Sequence, residues 1–210
     1  MSENGAGDVK AVVFDMGGVL VELGPLDEAL GLGRMTSEEF WAAWLASPTV
    51  RALEAGVSTV EEFGRDLGPE LGLDLDPAEI IAHFKAVPRG LFPGAAELVA
   101  AVRAQVTTAL LSNTNAAHWE TQPDADVIAG MCAHQFLSYE LNLTKPDRPI
   151  FDHAATALGV EPGRILFLDD SPANVTGARD AGWLAERVRG PLEARAALER
   201  HGVLAPRPAD

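Results

Sequence analysis

Four short stretches of this 210-residue chain carry, in order, the groups that phosphoryl transfer needs. Asp15 follows an apolar run and precedes Met16-Gly17-Gly18, Ser112-Asn113-Thr114-Asn115 offers a hydroxyl beside amides, Lys145-Pro146 offers a cation, and Asp169-Asp170-Ser171-Pro172 offers a second acidic pair. A carboxylate can attack phosphorus, hydroxyl and N–H groups can hold its oxygens, and an ammonium can offset the charge that gathers there. Each stretch also has an ordinary reading. An aspartate after a strand is a turn former, the Ser112 and Asp169 stretches can cap helices, and Lys145 can be a solvated lysine. The order and placement of the four favour the chemical reading.

Placement follows from the elements between them. The apolar runs Val9 to Phe14, Val106 to Leu111 and Ile165 to Leu168 read as buried strands, each ending on one of the polar clusters. Amphipathic stretches separate them: Gly94 to Ala104, with Leu98, Val99 and Val102 on one face, and Ile150 to Leu158, with Phe151, Ala154 and Ala155 together. Strands alternating with helices predict an α/β fold with a parallel sheet, whose ligands bind outside the carboxyl ends of the strands. Residues 24–89 instead show helical periodicity and no convincing strand. Phe40, Trp41, Trp44 and Leu45 share a face, Thr36 with Glu39 and Ser58 with Glu61 form capping-box patterns, and Asp76-Pro77 with Glu79 reads as a helix start. The expected organisation is a core over 9–23 and 90–204, an all-helical cap inserted at 24–89, and tails at 1–8 and 205–210.

Composition limits the partners. A formal charge of −15 with no cluster of Lys or Arg argues against nucleic acid, and no apolar run approaches the roughly 20 residues that cross a bilayer. Residues 1–8 show no signal-peptide pattern and Cys132 is the single cysteine, so a cytoplasmic protein, monomer or homodimer, is expected. An anionic substrate must reach a protein whose field repels it, so the site needs a cation and a local basic group; magnesium and one lysine suffice. Cys132, His134 and His118 lack the spacing of zinc ligands. His118, close behind the Ser112 loop, is a candidate for lining the substrate pocket; Trp41 and Trp44 suit a helix core, and Arg51 is the candidate cation of the cap.

The motifs Phe14-Asp15-Met16-Gly17-Gly18-Val19-Leu20, Leu111-Ser112-Asn113-Thr114-Asn115, Thr144-Lys145-Pro146 and Phe167-Leu168-Asp169-Asp170-Ser171-Pro172-Ala173-Asn174 resemble, in that order, the four motifs of the haloacid dehalogenase superfamily. The first two resemble most the branch containing bacterial glucose-1-phosphate phosphatases, and Leu53-Glu54-Ala55-Gly56 through Glu61-Glu62-Phe63 resembles its small helical cap. The resemblance implies a Rossmann-like core and a magnesium-dependent phosphatase of a small phosphorylated metabolite, such as a sugar 1-phosphate. It implies Asp15 as the nucleophile forming an aspartyl-phosphate, Mg2+ held by Asp15, the Gly17 carbonyl and Asp170, with Asp169 as a further ligand and Asn174 orienting that set. Ser112, the Asn113 N–H and Lys145 would hold the phosphate. A 2-haloacid dehalogenase, which uses the same aspartate on carbon without metal, and an inert binding module are the alternatives.

One position departs from the pattern. Most phosphatases of the superfamily carry an acid two residues after the nucleophile, where this chain has Gly17. Positioned acids contribute roughly 100- to 10,000-fold. The leaving group must then depart unaided, as the anomeric oxygen of a sugar 1-phosphate can, or another acid must serve; Glu22, after Gly18, is the nearest candidate.

Overall fold

The computed structural model describes residues 9–31 and 35–206; the expected tail at 1–8 and residues 207–210 lie outside them. Five parallel strands form the main sheet: β1 (Ala11–Phe14), β4 (Thr107–Ser112), β5 (His134–Leu137), β6 (Ile165–Asp169) and β7 (Leu184–Arg187), in the order β5-β4-β1-β6-β7. Helices cover both faces, giving a Rossmann-like α/β core. Val12 and Phe14 of β1 face α6 (Ala95–Arg103), α8 (Ala125–Met131) and α12 (Gly190–Arg200), while Ala11 and Val13 face α10 (Arg148–Leu158) and α11 (Pro172–Asp180). A central strand buried on both faces must be apolar throughout, which is why β1 reads as a continuous run.

The chain leaves β1 for β4 and β5 on one side, then returns for β6 and β7 on the other. Strand β1 is therefore the switch point, where the loops diverge and leave a crevice. Phe14 pairs in register with Leu110 and Leu168, and the Asp15 N–H donates to the Leu168 carbonyl at 2.9 Å. This register brings Asp15, Ser112 and Asp169 to one edge of the sheet.

Between β1 and α6 lie β2 (Val21–Leu23), the helices α1 (Leu26–Leu30), α2 (Ser37–Ala46), α3 (Pro48–Glu54), α4 (Val60–Leu71) and α5 (Pro77–Lys85), and β3 (Pro88–Leu91). The helices bury an apolar cluster of their own around Phe40, Trp44, Phe63, Leu67, Ile80 and Phe84, with the Phe63 and Phe84 rings 4.6 Å apart. Three expectations need correction here. Pro88–Leu91 is a strand, antiparallel to β2, although Pro88-Arg89-Gly90 has no strand-like composition; its partner, not its side chains, makes it one. Trp41 and Leu45 are exposed, because the buried stripe is Phe40 and Trp44, a hundred degrees around the helix. The second capping box is Thr59 with Glu62, one residue beyond Ser58 and Glu61, because Gly56, in the left-handed conformation, closes α3 and residues 57–58 form the connection. The boxes at Thr36–Glu39 and the Asp76–Glu79 contact form as read.

Candidate active site

Asp15 stands just past β1, 7% exposed, and Asp169 ends β6, fully buried. Lys145, on the loop before α10, reaches between them: its Nζ donates to Asp15 Oδ1 and to Asp169 Oδ2, each at 2.7 Å, and to the Leu111 carbonyl at 3.0 Å. A lysine with 1% of its side chain exposed is held by those three acceptors; the two carboxylates outweigh the cost of burial and raise its pKa. Gly177 of α11 lets that loop approach, since a Cβ there would stand 2.3 Å from the Pro146 carbonyl.

Asp170 completes the acidic group. Oxygens of Asp15, Asp169 and Asp170 lie within 4.8 Å of one another, and no other set of three acidic, His or Cys side chains among the described residues comes together in this way. Gly18, at φ +71°, makes room: a Cβ would stand 2.6 Å from Asp170 Oδ2. Lys145 pairs with Asp15 and Asp169 and the two nearby arginines only flank Asp170, so the interior of the cluster is short of positive charge. Burial pushes the Asp15 pKa up to about 8, Lys145 opposing and Asp169 and Asp170 adding to the rise. Asp170 is raised too, by burial and then by Asp169. Oxygen donors with excess negative charge are what a hard divalent cation such as Mg2+ takes, so the residues present fit it.

Within the cluster the acids differ. Asp169 accepts from Lys145, from the Ser171 N–H at 2.8 Å, and from Asn174 Nδ2 at 3.1 Å on each oxygen, so Asn174 orients Asp169. Asp170 is half-buried at the opening, beside the guanidinium groups of Arg187 and Arg189. Replacing Lys145 by Met is expected to cost about 3–5 kcal/mol of stability, because it strands buried carboxylates without their partner; urea unfolding of both proteins in chelator checks this.

Ser112 is buried at the end of β4. Asn113 ties this loop to the lysine loop: its Oδ1 accepts the Lys145 N–H at 2.8 Å and its Nδ2 donates to the Lys145 carbonyl at 3.0 Å. The other anticipated residues fall elsewhere. Glu22 is exposed on β2 and does not join this group. Leu23 instead covers the Gly17 turn, its Cδ1 3.0 Å from where a Gly17 Cβ would stand. His118 links two elements: its ring stacks on Phe84 at 4.0 Å and its Nε2 donates to the Phe84 carbonyl at 2.7 Å, fastening α5 to the core. Burial lowers its pKa, against that hydrogen bond. Cys132 is buried in the core, which pushes its thiol up to about 11, and His134 stacks on Phe136.

Sequence reasoning placed Glu54 only within a helix resembling a cap. It is the last residue of α3, half-buried, and Asn113 Nδ2 donates to its Oε2 at 3.2 Å. A carboxylate at a helix C-terminus, where the dipole disfavours negative charge, was the available signal.

The chain belongs to the haloacid dehalogenase-like hydrolases, whose family model matches residues 9–182. It is a hydrolase. Its relatives include a D-ribitol-5-phosphate phosphatase of Bacteroides thetaiotaomicron, 27% identical over 185 residues that cover 83% of this chain and 89% of the relative. Among solved structures, a haloacid dehalogenase family enzyme of the same organism, in complex with magnesium and inorganic phosphate, superposes with a TM-score of 0.68 at 23% identity, covering 86% of this chain and 94% of its own. The L-2-haloacid dehalogenase of Xanthobacter autotrophicus, with chloropropionic acid covalently bound, shares the fold at a TM-score of 0.62 and 22% identity, covering 94% of this chain and 85% of its own.

Proposed function

We propose that this hydrolase is a magnesium-dependent phosphatase of a small phosphorylated sugar or sugar alcohol, working through an aspartyl-phosphate on Asp15. The observation that carries the reading is the charge balance: Asp15, Asp169 and Asp170 gather at one point, where Lys145 pairs with the first two and Asp170 keeps its oxygens for another cation, an arrangement that favours a bound dication and a dianionic substrate over a metal-free attack on carbon. The phosphatase relative supports it.

Mg2+ would be held by Asp15, Asp170 and the Gly17 carbonyl, with Asp169 alongside, and would supply positive charge against the phosphoryl oxygens. The chain's own groups do the rest. Asp15 Oδ attacks phosphorus, the bond to the leaving oxygen breaks, and water later releases phosphate and restores the carboxylate. Lys145 orients Asp15 and neutralises the gathered charge, while Ser112 and the Asn113 N–H hold phosphate oxygens. The helices α1–α5 act as the cap that excludes water and selects substrate.

The test is a panel of sugar and sugar-alcohol phosphates with p-nitrophenyl phosphate, assayed with magnesium, beside 2-chloroacids assayed without it. Phosphate release from the first set is expected. Metal-independent chloride release from the second would establish the dehalogenase instead, and neither product would leave the inert binding module.

A further inference from the structure

An alkyl phosphate leaves as a strongly basic alkoxide unless a proton reaches its oxygen, and the turn Asp15-Met16-Gly17-Gly18 carries no second acid. Glu54 projects from the end of α3 to the Ser112-Asn113 loop, where Asn113 Nδ2, its second hydrogen already committed to the Lys145 carbonyl, holds Glu54 Oε2.

The helix end that carries Glu54 is fastened to the core on both sides. Asn142 Nδ2 donates to the Ala55 carbonyl at 2.8 Å, and Arg51 pairs with Asp147 on the lysine loop. Gly56, at φ +68°, lies so close to α9 (Ser138–Leu141) that a Cβ would stand 2.3 Å from the Tyr139 carbonyl. An acid on a rigidly docked element keeps its geometry through a reaction cycle.

We propose that Glu54 is the general acid and base of this site, the role that Gly17 leaves open; the inference rests on the phosphatase reading above. In the first step Asp15 Oδ forms its bond to phosphorus, the phosphorus–oxygen bond of the ester breaks, and the departing oxygen takes its electron pair and the proton of the Glu54 carboxyl, leaving as an alcohol. In the second, water gives its proton to the Glu54 carboxylate as its oxygen bonds to phosphorus. The Asp15–phosphorus bond breaks, and phosphate, free Asp15 and protonated Glu54 result.

Electrostatics suit the task. Burial pushes the Glu54 pKa up to about 7, against Lys145, the Asn113 hydrogen bond and Arg51, so both protonation states are populated at neutral pH. Lys145 from the core and Arg51 on its own helix are the charged groups that face it, and Arg51 is engaged by Asp147.

The experiment compares Glu54→Gln with the parent on two esters in magnesium: an alkyl phosphate from the substrate panel and p-nitrophenyl phosphate, whose nitrophenolate departs without a proton. Glu54→Gln is expected to lower kcat/KM for the alkyl ester by about 100-fold or more and for the aryl ester by less than about 10-fold. A packing role alone would lower both alike, and an equal loss, or none, overturns the inference while leaving the phosphatase reading intact. Parent protein that releases phosphate from neither ester removes both. A second measurement needs no variant: for the parent, kcat/KM on the alkyl ester should fall as pH rises through about 7, where the acid form of Glu54 is lost, while the aryl ester keeps its rate. The same descending limb on both esters counts against Glu54.

Discussion

Asp15→Asn is expected to reduce phosphate release by at least about 1,000-fold and to leave the protein folded. The amide nitrogen cannot form the ester to phosphorus, and among the described residues no other carboxylate stands where Asp15 does, directly beyond the central strand and in contact with Lys145 Nζ. The fold should tolerate the change because Asn has the same shape and keeps a carbonyl oxygen to accept from Lys145. Asp15 is also an uncomfortable anion in the metal-free protein, its pKa pushed up to about 8 by burial and by its acidic neighbours. Removing one of three crowded charges should hold or raise the unfolding midpoint measured in chelator. A variant that is folded and fully active would remove the covalent mechanism.

The second large effect concerns the metal. Chelator should abolish turnover, and magnesium should stabilise the parent by an amount that grows with concentration, about 2.7 kcal/mol at a hundred times its dissociation constant. The cause is the same charge imbalance: a dication satisfies carboxylates that Lys145 alone cannot. Asp170→Asn should lose both the activity and most of the magnesium-dependent shift in melting temperature. Its carboxylate, at the opening of the cluster, has fewer protein donors than that of Asp169, which Lys145, Ser171 and Asn174 already occupy. Equal melting curves with magnesium and with chelator would refute a metal site here.

The three inner strands β1, β4 and β6 were legible because a parallel strand covered on both faces is largely apolar, and such runs stand out without alignment; the edge strands β5 and β7, with polar residues in HQFL and LAER, were not. The helix starts were legible where a capping box is unambiguous, as at Thr36 and Glu39, and misplaced by one residue where Ser58 and Thr59 both begin the same pattern. Helix α2 shows a deeper limit. Phe40 with Trp44 and Trp41 with Leu45 are both apolar stripes, and nothing local says which one packs; the neighbouring Phe63 and Phe84 decide it. His118 is similar. Its place behind the Ser112 loop says nothing of Phe84, and only the meeting of α5 with the core makes it a fastening there.

By itself the sequence determined the candidate reactive groups and their order: an aspartate after the first strand, a serine–asparagine loop, a lysine, an acidic pair, and a glycine where an acid was to be expected. These belong to the chain because each is set by residue identity and by the end of an apolar run. The tertiary structure decided what faces them. It buried Lys145 between two carboxylates, left Glu22 in solvent and carried Glu54 of α3 to Asn113, 59 positions along the chain. The physical reason is that helical periodicity defines a face but not its partner, and partners so distant in sequence are set only when two separately packed clusters dock.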